Sequence, residues 1–185
     1  MGIKNAPQNH VTMSTLEELK YPIGKFNFPR HCDPVCISGW ISQLEEFPAA
    51  LAGVVGQLSP EQLDTCYRPG GWTVRQVIHH LADSHINAYT RVKLVLTEDN
   101  PIVKPYQEAL WAELPEAKHN DAHLSVAILK GVHRRMAATL RALEYADFER
   151  TYQHPEFTAP LSLAFLTGTY AWHGQHHLAQ IRLVL

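Results

Sequence analysis

The sequence predicts an all-α protein, a bundle of four helices with a long crossing between the second and the third. Four stretches repeat apolar side chains every three to four positions, the period of one helix face. No stretch alternates apolar and polar residues for long enough to make a strand. Pro- and Gly-rich connections separate the helical stretches, and four amphipathic helices of roughly twenty residues can bury their stripes against one another. With 185 residues the chain fits one compact domain. A hydrophobic fraction of 45 %, a charged fraction of 18 % and a net charge of -2 exclude a disordered chain and a nucleic-acid-coating protein.

Residues 1–33, with YPIGKFNFPR at their centre, show no helical period and read as an irregular arm, leaving 34–185 for the bundle. MGIKNAPQNHVTM lacks the basic segment and apolar core of a signal peptide. Ala6 stands where an N-myristoylation motif needs Ser or Thr. No run of about eighteen apolar residues follows, so a cytoplasmic protein without a membrane partner is expected.

DPVCISGWISQLEEFPAALAGVVGQL forms the first long helix, with Val35, Trp40, Leu44, Phe47, Leu51 and Val55 on one face. Pro48 should kink or divide it, because it lacks an N–H and crowds the preceding turn. Ser59, Pro60 and Gln62 suit one short helical turn, and Arg68-Pro69-Gly70-Gly71 suits a tight turn. Thr73 and Gln76 match a capping box, so the second long helix should run from there to about Thr97. EDNPIVKPYQEALWAELPEAKHND reads as the long crossing, with one helical turn around Gln107 to Trp111. The third helix is expected over Ala122 to Leu143, with Val126, Leu129, Val132, Met136, Leu140 and Leu143 as its stripe. A Pro-rich crossing then leads to the fourth, from about Ser162 to the last residues.

The three cysteines, Cys32, Cys36 and Cys66, contain no CxxC pair and read as free thiols of a reducing compartment. The twelve histidines stand out instead, since imidazole is the commonest transition-metal ligand. At about 100° per residue, Leu163, Leu166, Tyr170, His173, His177, Ile181 and Val184 share one side of the fourth helix. His173 and His177 thus stand one turn apart in an apolar face, where a shared metal ion would give each ring a partner. His176 falls off that face, toward a flank or solvent. On the second helix, Val74, Val77, Leu81, Ala88, Val92 and Val95 define the apolar face and His85 falls on it. His80 lies on the flank with Ser84, Asn87 and Arg91, and His79 points nearly away. Periodicity leaves both His80 and His85 open as a third ligand. Three histidines from two helices would leave a coordination position for water or substrate, as catalytic metal sites do.

GGWTVRQVIHHLADSHINAYTR, YAWHGQHHLAQI and YPIGKF resemble the DinB/YfiT-like superfamily, in particular its YfiT-like metal-dependent hydrolases, which include bacillithiol transferases. The similarity spans nearly the whole chain after residue 20. It implies the DinB four-helix bundle, one divalent metal per chain, most often zinc or nickel, and a homodimer. It also implies the ligand set His80, His173 and His177, the first standing eight residues after Trp72; the extra histidines His79, His85 and His176 depart from the family pattern and offer alternative ligands.

Two enzymatic readings follow from the resemblance, with a non-catalytic metal-binding stress protein as a third. One is transfer of a low-molecular-weight thiol to an electrophile through a metal-bound thiolate, and the other is hydrolysis by metal-activated water. No Glu is spaced on the ligand helices as in HExxH, and Asp83 is the candidate to orient a ring or take a proton. Arg75, Arg91, Arg134 and Tyr106 are candidate contacts for the cosubstrate. Trp72 and Tyr170 could line the pocket, and Glu108 or Glu113 could reach its mouth.

Overall fold

Every long helix starts where a side chain accepts a free N–H of the first turn. In the computed structural model, which describes residues 15–185, Asp33 caps α2 (Pro34–Val55) and Thr73 caps α4 (Val74–Thr97) in a reciprocal box with Gln76. Asp121 caps α7 (Ala122–Arg141), and Ser162 caps α8 (Leu163–Arg182). The opening segment, read above for signal and acylation motifs, lies outside the described residues.

Short elements fill the connections. α1 (Leu16–Lys20) forms within the arm expected to be irregular, closed by a Thr15–Glu18 capping box. α3 (Pro60–Leu63) is the single turn expected after Ser59, and the long crossing carries α5 (Glu108–Trp111) and also α6 (Pro115–His119). A 3-10 turn (Tyr145–Glu149) precedes β1 (Thr151–Tyr152), which pairs antiparallel with β2 (Leu161–Ser162) and pinches the last crossing. α2 continues unbroken through buried Pro48, so the proline does not divide it.

Helices α7 and α8 each pack against both α2 and α4. Around the bundle the order is therefore α2, α7, α4, α8, and the consecutive pairs α2/α4 and α7/α8 sit on diagonals. That arrangement explains why residues 56–73 and 142–162 must be long enough to cross. No helix among the described residues is long and apolar enough to cross a membrane.

The core falls into two apolar blocks. One gathers Ile37, Ile41, Leu44, Val92, Met136, Leu140 and Leu166, and the other Phe47, Leu51, Val77, Leu81, Leu129, Leu178 and Ile181. On each of α4, α7 and α8 the residues between the blocks are histidines: His85, His133, and His173 with His177. A polar layer thus lies between the two apolar blocks, an arrangement that costs stability unless each ring finds a partner.

Two glycines set the approach of α8 to α2. A Cβ on Gly168 would lie 2.9 Å from the Trp40 ring, and one on Gly174 3.0 Å from Phe47. Gly168→Ala is expected to lower unfolding stability by about 1–3 kcal/mol through overpacking. Gly131→Ala, where a Cβ meets open space within α7, should raise it by about 0.5–1 kcal/mol. Urea unfolding of both variants beside the parent checks the difference in sign.

Candidate metal centre

Helix geometry alone brings His173 and His177 together, since residues four apart on α8 project side by side. Across the seam α4 supplies His80, and one ligand nitrogen of each of the three rings lies within 4.8 Å of the others. The Nε2 of His173 is 3.3 Å from that of His80 and 3.1 Å from that of His177. A tetrahedral ion with bonds of about 2.0–2.1 Å holds its ligand nitrogens roughly 3.3 Å apart, so the spacing fits such an ion. Trp72 packs on the outer side of His80, its ring centroid 4.9 Å away.

The proton positions favour a cation as well. The Gln180 amide donates to the Lys20 carbonyl at 2.8 Å, and a carbonyl can only accept. Its second N–H reaches His176 Nε2 at 3.0 Å, leaving Oε1 to accept from His177 Nδ1–H at 2.7 Å. The Nε2 of His177 is then a bare lone pair aimed at His173. Burial keeps the rings from relieving the crowding by protonation. Desolvation holds His80 at about 4, and desolvation followed by the neighbouring histidines drives His173 and His177 well below the ordinary imidazole range. Neutral imidazoles with converging lone pairs are the state that a divalent ion requires of its ligands.

His173 also lines a cleft of about 400 Å³ between α4, α8 and the start of the long crossing. Arg91, Tyr106, Glu108, Glu156, Thr169 and Tyr170 are among the polar residues of its wall. Arg91 donates to the Tyr170 hydroxyl and the Lys104 carbonyl, both at 3.3 Å, and pairs with no carboxylate among the described residues. The buried hydroxyls of Tyr106 and Thr169 have no hydrogen-bond partner within the protein, which marks places for a polar ligand.

The structure takes other candidates away from the centre. Arg75 is held by the Asp64 carboxylate at 2.8 Å and the Asn120 carbonyl at 3.0 Å, outside the cleft. Arg134 is exposed on α7, and Glu113 forms an exposed ion pair with Lys118. Asp83 is half-buried and lies outside the three-histidine group, its carboxyl raised to about 6 by burial and by Glu116. Burial, reinforced by Cys36, pushes the Cys32 thiol up to about 12, the reverse of an activated nucleophile.

One facing expectation is corrected and another narrowed. His79, expected to point away, is buried because the α6–α7 junction covers that side of α4, and Ser125 lies 2.7 Å from its Nδ1. His176, expected toward a flank or solvent, sits on a flank and is buried under the arm, stacked on Trp172 at 4.6 Å and facing Tyr21. His85 is fully buried as its angle implied, yet it stands behind His173 rather than in the ligand group. Sequence reading missed His133 and Gln180. His133 is spaced four from Leu129 and three from Met136, so the stripe itself could have revealed it.

Residues 43–181 match the family model of the DinB superfamily. A protein of Oceanobacillus iheyensis named "Putative metal-dependent hydrolase" is 50 % identical over 88 % of this chain and 93 % of its own. A protein of Bacillus cereus with the same name is 48 % identical over 90 % of this chain and 95 % of its own. Among solved structures, YfiT from Bacillus subtilis, described as a probable metal-dependent hydrolase with an unusual four-helix bundle topology, superposes with a TM-score of 0.88 at 44 % identity, covering 90 % of this chain and 95 % of that one. The chain belongs to the DinB superfamily.

Proposed function

We propose that this protein is a divalent-metal-dependent enzyme that transfers a low-molecular-weight thiol to an electrophile, with zinc or nickel held by His80, His173 and His177. The observation that carries the reading is a three-imidazole group, with no carboxylate among its donors, one ring of which, His173, lines a polar cleft. An ion on three imidazoles keeps a position for an incoming molecule and acidifies a thiol or a water bound beside it. Nothing in the donor group serves as a general base, and a thiol acidified in this way needs none. In the transfer the thiol gives its proton to water, its sulfur forms a bond to the electrophilic carbon, and the bond from that carbon to the leaving group breaks, the leaving group departing with the electron pair as an anion.

The cleft residues supply recognition. Arg91, lacking a carboxylate of its own, suits an anionic group on the thiol, and the Tyr106 and Thr169 hydroxyls suit its remaining polar atoms. Hydrolysis is the second reading, favoured by Glu108. Its carboxyl lines the same cleft and is raised by burial and by Glu156, toward the range of a working general base.

The test loads the protein with zinc and mixes it with thiols, with and without carboxylates, plus a chloroaromatic electrophile, beside a panel of esters and amides. Metal-dependent thioether formation supports transfer, whereas metal-dependent cleavage without added thiol favours hydrolysis. Arg91→Met should leave metal content unchanged and weaken use of a carboxylate-bearing thiol about 10–100-fold, the worth of one charge-assisted hydrogen bond. Steady-state KM for the charged and uncharged thiols measures it.

A further inference from the structure

Behind His173 lies a hydrogen-bonded train that touches all four long helices. It starts at the Leu44 carbonyl on α2, 2.6 Å from His133 Nδ1 on α7. His133 Nε2 is 2.8 Å from His85 Nδ1 on α4, and His85 Nε2 is 3.2 Å from His173 Nδ1 on α8. His85 and His133 are 0 % and 1 % exposed, so water cannot substitute for these partners.

The carbonyl at the far end sets the direction of every bond. Leu44 can only accept, so His133 carries its proton on Nδ1 and, being neutral, offers a lone pair at Nε2. His85 must then donate from Nδ1 and accept at Nε2. His173 is left to donate from Nδ1, which strips the proton from its Nε2, the nitrogen that faces His80 and His177. Packing holds the train in register. The His85 and His133 rings lie side by side, 23° from coplanar with centroids 4.7 Å apart, and Phe47 packs against both rings and close to Gly174.

We propose that His85 and His133 are positioning residues of the metal centre, which fix the tautomer and ring orientation of His173 so that its Nε2 is presented bare to the ion. A ligand histidine is ordinarily anchored directly on a carbonyl or carboxylate. Here the carbonyl is two imidazoles away, and the ligand's aim is tied to the mutual placement of α2, α4, α7 and α8. The proposal rests on the reading of His173 as a ligand, and its test separates the two.

Long-range 1H–15N spectra of the metal-free protein read the tautomer of His173 without any metal, and competition with a chromophoric chelator reads the affinity for Zn2+ alone. The wild type should show His173 protonated at Nδ1. His85→Leu should release His173 into both tautomers and weaken Zn2+ binding 10–100-fold, the usual cost of losing a ligand's anchor. His85→Gln can accept from His173 and donate to His133, and should lose less than about tenfold. A purely structural histidine would change unfolding and leave tautomer and affinity alone.

Unchanged Zn2+ affinity in a folded His85→Leu overturns the proposal. So does a wild-type His173 protonated at Nε2, which decides the matter even if His85→Leu does not fold. Failure of the wild type to bind Zn2+, with the tautomer as predicted, overturns the ligand reading instead and removes the positioning role with it.

Discussion

Replacing His173 with alanine should reduce bound metal from one equivalent per chain to a trace. Its Nε2 is the common neighbour of the other two, 3.3 Å from that of His80 and 3.1 Å from that of His177, and its loss leaves only two protein ligands where such an ion takes at least three. Loss of a ligand should cost more than the 10–100-fold typical of losing a ligand's hydrogen-bond partner. The helical fold should persist, because the substitution also relieves the core of a polar ring that desolvation holds neutral. His177→Ala should behave alike. Metal analysis of both variants beside the wild type, with circular dichroism as the check on folding, measures the effect, and full metal content in either contradicts the assignment.

Acid should unfold the metal-free protein well above the pH at which its carboxylates protonate. His80, His133 and His176 are held at about 4 by burial against an ordinary value of 6.5, and His85, His173 and His177 lie well below that value. Between pH 6.5 and 4 the unfolded chain binds protons at rings that stay neutral in the fold. Unfolding therefore takes up protons, and stability is present above 6.5 and lost as pH falls through this window. Asp83 and Glu108, whose carboxyls are raised, act in the opposite sense, but they are two against these six and against His79 and His154, which are lowered as well. Each titrating ring removes up to about 1.4 kcal/mol per pH unit, so several together should lower Tm by roughly 10 °C between pH 6.5 and 5.5. Bound metal, which competes with protons for the same nitrogens, should move the loss to lower pH. Calorimetry of metal-free and zinc-loaded protein across this range checks both statements, and a flat Tm in the metal-free protein contradicts them.

The four long helices were legible because each carries both a period and a cap. Thr73 with Gln76 marks the start of α4 to the residue, and Ser162 marks that of α8. The pair His173 and His177 was legible for the same reason, since spacing on one helix is a local property. What angles could not convey was how many sides of a helix are covered. His79 and His176 lie off the main apolar faces of α4 and α8, yet the α6–α7 junction and the N-terminal arm bury them. The choice between His80 and His85 also depends on depth across the seam, which periodicity does not encode. Both are buried, but only His80 reaches the shared centre, while His85 is spent on His133 and His173. Gln180 escaped notice because its role depends on the Lys20 carbonyl, a partner supplied by a distant segment.

The most direct test of a three-imidazole centre is X-ray absorption at the zinc edge of the reconstituted protein. Nitrogen or oxygen scatterers at about 2.0–2.1 Å, with the outer-shell signature of three imidazole rings and no sulfur, are the predicted result. A sulfur shell near 2.3 Å, or fewer than three rings, would contradict the assignment of His80, His173 and His177 as the metal ligands.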